Sequence, residues 1–200
     1  MRTHAVDRTL LYRSADGERL EHARLRTGEA GGIADGAIVG LFEHRPIRVR
    51  FEITCDSRWH ARNVSVETIA DERVLLSISA DEDGTWRRVD GGVLDVPIFR
   101  CFDVAIGQTP TPMALAIRRL ALEPRQAAIV NVAAIDVPTM TIRAAEHRYT
   151  CLERAAAASR YRFEDFDSGE RAEIRIDADG AIAAYEGRFT RLWPMLLPAP

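Results

Sequence analysis

Positive charge is in short supply: 27 Lys and Arg against 30 Asp and Glu leave a net charge of -3 over 200 residues. Domains that hold a phosphate backbone carry a clustered excess of cations, so no nucleic-acid partner is expected. Long apolar runs are missing too. No stretch approaches the roughly 20 residues of a membrane span, and Met1 to Arg8 has no apolar signal-type segment. The expectation is a soluble, cytoplasmic chain with no membrane span. Cysteine is scarce: Cys55, Cys101 and Cys151 are odd in number and widely spaced, with no C-x-x-C. That pattern argues against a disulfide framework or a zinc knuckle and for buried, reduced thiols.

Motifs of catalysis and metal binding are also lacking. His4, His22, His44, His60 and His147 show neither i, i+4 pairing nor H-x-H spacing. There is no G-x-S-x-G elbow and no phosphate loop, and Gly31-Gly32-Ile33-Ala34-Asp35-Gly36 lacks dinucleotide-turn spacing. Asp177-Ala178-Asp179-Gly180, with Glu186 further on, imitates part of a calcium loop, but Arg175 falls where the first carboxylate must stand. It reads as an acidic hairpin turn. No metal or cofactor is expected, and the balance leans away from an enzyme.

What is present is a core-forming composition, 46% hydrophobic and 28% charged, enough for a single domain spanning 1–200. The period of two is clearest at Ile47, Val49, Phe51, Ile53 and Cys55, with Arg48, Arg50, Glu52 and Thr54 between them. One face of that strand should be dry and the other wet. Strand, turn, strand recurs: Leu10 to Tyr12 before Asp16-Gly17, with Leu20, Ala23 and Leu25 after it; Leu75 to Ile78 before Asp83-Gly84; Ala172 to Ile176 before Asp179-Gly180. Gly28, Gly31 and Gly32 suggest a loose loop before a strand over 37–42. Gln126 to Ile135, Thr139 to Cys151 and Ser159 to Phe166 also suit strands.

The central stretch from Asp103 to Leu120 combines turn residues, small side chains and the pair Arg118-Arg119. Local propensity offers a helix over Met113 to Glu123, with Thr111 as N-cap and Pro112 in its first turn, and a second over Leu152 to Ala158. On a strand, by contrast, only one of Arg118 and Arg119 would face the interior, where it could read a polar headgroup; otherwise both pair with carboxylates or sit at a strand end. The apolar tail Trp193-Pro194-Met195-Leu196-Leu197-Pro198 suits docking over an open edge of its own domain.

From Phe51 onward the chain resembles the putative glycolipid-binding family of bacterial domains. The resemblance is carried by Asp56 to Trp59, Asp83-Gly84-Thr85-Trp86, Asp103-Val104, Thr109-Pro110, Ile117-Arg118-Arg119-Leu120, Arg148-Tyr149-Thr150, Tyr161-Arg162-Phe163 and Asp177 to Gly180, with Tyr185, Gly187, Phe189 and Arg191 beyond. It departs at Pro112-Met113-Ala114, where the family often has Thr-Asn-Thr, and at His147, where Gln is usual. The resemblance implies a mainly β chain, an antiparallel spiral β-roll or incomplete barrel with little helix around an apolar cavity. It favours a loop and then a strand at Ala114 to Leu122, against local propensity.

The function so implied is noncatalytic binding or carriage of a lipid or glycolipid-like amphiphile. The alternatives are an enzyme acting on a lipid or sugar derivative through residues such as Asp103, His147 and Tyr149, or an interaction module with a filled core. Candidate ligand contacts are Trp59, Trp86, Asp103, Thr109, Arg118, Arg119, His147, Tyr149, Tyr161 and Tyr185. A homo-oligomer is compatible with this reading.

Overall fold

The computed structural model describes residues 5–69, 73–94, 96–137 and 139–195; His4 and residues 196–198 of the apolar tail lie outside them. The strands are β1 (Val6–Ser14), β2 (Arg19–Gly28), β3 (Gly31–Phe42), β4 (Arg45–Cys55), β5 (Ala61–Ile69), β6 (Arg73–Ala80), β7 (Trp86–Arg88) and β8 (Asp103–Ile106). After α1 (Thr111–Leu120) come β9 (Ala127–Ile135), β10 (Ile142–Arg154), β11 (Ala158–Asp165), β12 (Arg171–Asp177), β13 (Ile182–Tyr185) and β14 (Phe189–Trp193). All belong to one 14-stranded sheet, ordered β7-β6-β5-β4-β3-β2-β1-β14-β13-β12-β11-β10-β9-β8 and not closed. The chain is mainly β, as its alternation predicts.

Alternation places the core. Ile47, Val49, Phe51, Ile53 and Cys55 all face inward, none more than 9% exposed, while Arg48, Arg50 and Glu52 face solvent. Register then aligns these positions across strands: Leu25 opposes Ala34, Ala34 opposes Ile53, Ile53 opposes Val64 and Val64 opposes Ile78. All five are buried. Each large apolar member contributes about 1.5–3 kcal/mol relative to an exposed position, so a one-residue slip of any strand is strongly disfavoured. Leu20 breaks the pattern and points outward, 46% exposed, because Glu21, Ala23 and Leu25 take the inward positions of β2.

The Asp-Gly turns form as the sequence suggests, with Gly17, Gly84 and Gly180 at positive φ. The glycines at 28, 31 and 32 do not make a loose loop. Gly28 pairs with Gly31 across a tight connection, and a Cβ on Gly31 would lie 2.1 Å from the Cys55 carbonyl oxygen. Close approach of β3 to the end of β4, not slack, explains the glycine.

Two expectations need correction. Residues 114–120 are helical, as local propensity offers, and not the strand that the resemblance implies. Every neighbouring pair in the sheet is antiparallel except β8 and β9, which are parallel, and a parallel pair needs a crossover of a dozen or more residues, usually a helix. Here α1 supplies it. The helix begins earlier than local propensity places it: Pro110 is the N-cap and has no side-chain cap, while the Thr109 hydroxyl accepts the Thr111 amide. It ends at Ala121, left-handed at φ 45. Over 152–158, β10 continues to Arg154 and then turns into β11.

The helix touches β3, β8 and β13, so the sheet wraps around it. Ala114, Leu115, Ala116 and Ile117 are all at most 5% exposed. The apolar side of α1 is thus buried against the sheet, while Arg118, Arg119 and Leu120 in its last turn stay partly exposed.

Candidate functional site

At the end of the roll where α1 begins, a cleft of about 570 Å³ opens. Val104, Ile106 and Ile135 line it with Met113 from the first turn of α1. Inward alternation on β10 brings His147 and Tyr149 to it, two residues apart on one face, and Tyr149 opposes Phe163 on β11. The Phe163 ring meets His147 edge-on at 4.9 Å, Tyr149 at 5.4 Å and Tyr185 at 5.9 Å. An aromatic wall results, with a polar rim.

Every cation of that lining is already paired. Arg19 meets Asp16 at 2.6 Å, Arg188 meets Glu170 at 2.8 Å, and Arg143 pairs with Asp167. The Tyr185 hydroxyl donates to Glu170 as well. Since the lining also carries Asp136 and Asp165, no guanidinium is left over to receive an anion.

His147 and Tyr149 differ from the rim. His147 is 5% exposed and Tyr149 2% exposed, and neither makes a hydrogen bond among the described residues. The nearest partner of His147 is Asp165, whose Oδ2 lies 3.9 Å from Nε2, too far for a hydrogen bond. Burial lowers the His147 pKa, with Asp165 opposing it, so the imidazole is neutral at neutral pH. Burial raises the Tyr149 phenol well above its ordinary value and keeps it protonated. Two hydrogen-bonding side chains thus face the cleft with no protein partner among the described residues, their polar atoms open to it.

Thr109, also at the cleft, links it to a buried carboxylate. Its hydroxyl donates to Glu21 Oε1 at 2.8 Å, and the Thr111 hydroxyl donates to the same oxygen at 2.5 Å. Glu21 is 2% exposed, no cation reaches it among the described residues, and Oε2 has no partner. Burial lifts its pKa to about 7, against the two hydroxyls that stabilise the anion.

The other sequence-derived candidates lie elsewhere. Arg118 leaves the far end of α1, its guanidinium 4.9 Å over the Trp59 ring and its Nη2 donating to the Asp179 carbonyl at 2.6 Å. Arg119 grips Asp103 through both oxygens, at 2.9 and 2.5 Å. The helix replaces the inward–outward split expected of a strand: both arginines bind other parts of the chain, and neither lines the cleft. Trp86 is a wall residue whose indole donates to the Cys101 carbonyl at 2.9 Å. Tyr161 is buried beside Cys151, outside the cleft.

Of the ten candidates, Thr109, His147, Tyr149 and Tyr185 converge at the cleft. Sequence reasoning passed over Glu21, Phe163 and the rim pairs. A charge at an inward position of an alternating strand is a legible signal for Glu21; the rim pairs Arg143–Asp167 and Arg188–Glu170 join residues 24 and 18 apart and leave none.

Among the described residues, no group of three or more His, Cys, Asp or Glu could hold a metal ion. The Asp177–Gly180 segment is a hairpin turn in which Asp177 pairs with Arg191 at 2.6 Å. No helix of the described residues is long and apolar enough to cross a membrane.

A family model described as "Putative glycolipid-binding" matches residues 9–191. Among solved structures, a DUF1089 family protein from Pseudomonas aeruginosa is 26% identical with a TM-score of 0.76, over 88% of this chain and 92% of that one. A β-barrel-like protein of the domain of unknown function DUF1849 from Brucella abortus is 10% identical with a TM-score of 0.58, over 96% and 97% of the two chains; that likeness concerns fold alone. No curated protein matches the chain.

Proposed function

The chain belongs to the family described as "Putative glycolipid-binding", and on that premise we propose that it is a noncatalytic binder of a glycolipid-like amphiphile whose uncharged, hydroxyl-rich headgroup sits in the cleft. The observation that carries this reading is the pair His147 and Tyr149, buried on one face of β10 and without hydrogen-bond partners. Ligand hydroxyls in the cleft would take up these bonds, each worth about 0.5–1.5 kcal/mol net. The full pairing of Arg19, Arg143 and Arg188 favours a neutral headgroup over a phosphorylated one. The apolar lining of the cleft suits the start of a tail beside the headgroup.

Titration of a soluble alkyl glycoside tests the reading. Binding should weaken about tenfold or more in His147→Phe, which keeps an aromatic ring against Phe163 but removes both ring nitrogens, and should be unchanged in Arg118→Ala. No binding by the wild type, together with no lipid retained on the purified protein in native mass spectrometry, sinks the proposal.

An enzymatic reading draws on the same cleft, because a neutral imidazole 3.9 Å from a carboxylate could move a proton. Asp103 would take no part, being committed to Arg119. Release of sugar from the glycoside, lost in His147→Phe, would favour this reading over simple binding.

A further inference from the structure

On the outer face of β1–β4, beside the cleft, four residues stand in one row. Arg13 opposes Leu20, Leu20 opposes Val39, and Val39 opposes Arg48. All four are exposed, Leu20 by 46% and Val39 by 58%. At about 4.8 Å per strand the row is about 14 Å wide. Leu41 and Pro46, also exposed and opposite one another, extend it toward the strand ends. Solvent-facing positions of an antiparallel sheet are normally polar, so an aliphatic centre with a cation at each end needs a reason. Arg13 and Arg48 make no ion pair among the described residues, unlike the cations of the cleft. Row and cleft share one corner: Arg19, next to Leu20, lines the cleft and donates to the Leu41 carbonyl at 2.8 Å.

We propose that this row is where the protein rests on an anionic lipid surface, so that an amphiphile passes between the membrane and the cleft. The proposal rests on the binding function above, since only a membrane-borne ligand calls for such a contact. The chemistry fits a bilayer. Aliphatic side chains enter the interface while flanking guanidiniums, the only side-chain cations in a chain without lysine apart from histidine, meet lipid phosphodiesters. A second copy fits less well: about a two-fold axis through the row, Arg13 would face Arg48 of the other copy, like charge against like.

Cosedimentation with glycolipid-free vesicles of phosphatidylcholine, with or without phosphatidylglycerol, is the test. The wild type should bind the anionic vesicles, weakening with salt, and bind pure phosphatidylcholine poorly. Arg13→Glu with Arg48→Glu should lower the affinity about 30-fold or more, and Leu20→Ser with Val39→Ser about tenfold. Arg175→Glu, a single reversal of the same kind at an exposed site on β12, should change little. Alkyl glycoside titration of these variants should match the wild type, which separates failure of the surface from failure of the cleft. The proposal falls if anionic vesicles are not bound, or if Arg175→Glu loses as much as the paired reversal. It falls equally if Leu20→Ser with Val39→Ser converts a dimer to a monomer, which assigns the face to a second copy.

Discussion

Where α1 leaves the roll, Arg118 and Arg119 are consumed by the chain itself, one between Trp59 and the Asp179 carbonyl, the other by both oxygens of Asp103. Where α1 enters, His147 and Tyr149 are more deeply buried yet make no hydrogen bond among the described residues. The first arrangement resembles a structural lock, in which each charge has its complement. The second leaves bonding capacity facing an open space, and a stable core gains nothing by that. Paired arginines are the more conspicuous feature in a sequence. Unsatisfied groups are the better sign of a ligand, and only coordinates reveal them.

Substitutions at the two ends should therefore separate stability from binding, and the largest effect belongs to the lock. Arg119→Ala leaves Asp103, whose side chain is only 3% exposed, buried without its cation. Urea denaturation should show a loss of about 3–5 kcal/mol, while the folded fraction binds glycoside with unchanged affinity. A small loss of stability with a large loss of binding would erase the distinction between the ends.

Next in size is Glu21, which joins the start of α1 to the cleft through Thr109. Its folded pKa of about 7 stands above the ordinary 4.5, so between those values the native state holds a proton that the unfolded state releases. Stability from this group is therefore greatest below pH 4.5 and declines as pH rises to 7, by about 3 kcal/mol in all. His147, with its lowered pKa, works in the opposite sense. The comparison with Glu21→Gln isolates the effect: the wild type should lose stability relative to the variant from pH 5 to pH 8 in parallel urea melts. A difference independent of pH would show that the carboxylate is solvated.

The smallest change in stability is expected at Tyr149. Tyr149→Phe removes a hydroxyl without a protein partner, so the melting temperature should hold within about 1 kcal/mol of equivalent stability. Glycoside affinity should fall about tenfold, the worth of one hydrogen bond of about 1.4 kcal/mol. Equal affinity would leave His147 as the polar contact that β10 supplies.

Much of the fold was legible beforehand. The strict alternation at Ile47, Val49, Phe51, Ile53 and Cys55 can be satisfied by one strand with one dry face, and the Asp-Gly turns follow from the ease with which glycine adopts positive φ. The calcium look-alike could be dismissed because Arg175 stood at the wrong place. At the site, Thr109, Tyr149 and Tyr185 stand among the family landmarks and His147 at a departure from them, whereas Trp59, Trp86, Asp103, Arg118, Arg119 and Tyr161 are candidates on equal terms and lie outside the cleft. Nothing local distinguishes the two groups, because the same residue types serve a cleft, a wall and a lock.

Alternation and turn residues along the chain settle that it builds strands, which residues on most of them face inward, and where the hairpins turn; these depend on neighbours one to four residues apart. Local propensity offers a helix near residues 111–120 and the family resemblance a strand; the parallel pairing of β8 with β9 selects the helix. Only the tertiary structure decided that Asp103 neutralises Arg119 and that Glu21 sits under Thr109 and Thr111, across separations of 16, 88 and 90 residues. Whether a polar group is spent or available depends on what the folded chain brings within about 3 Å of it, and alternation along a strand carries no record of that.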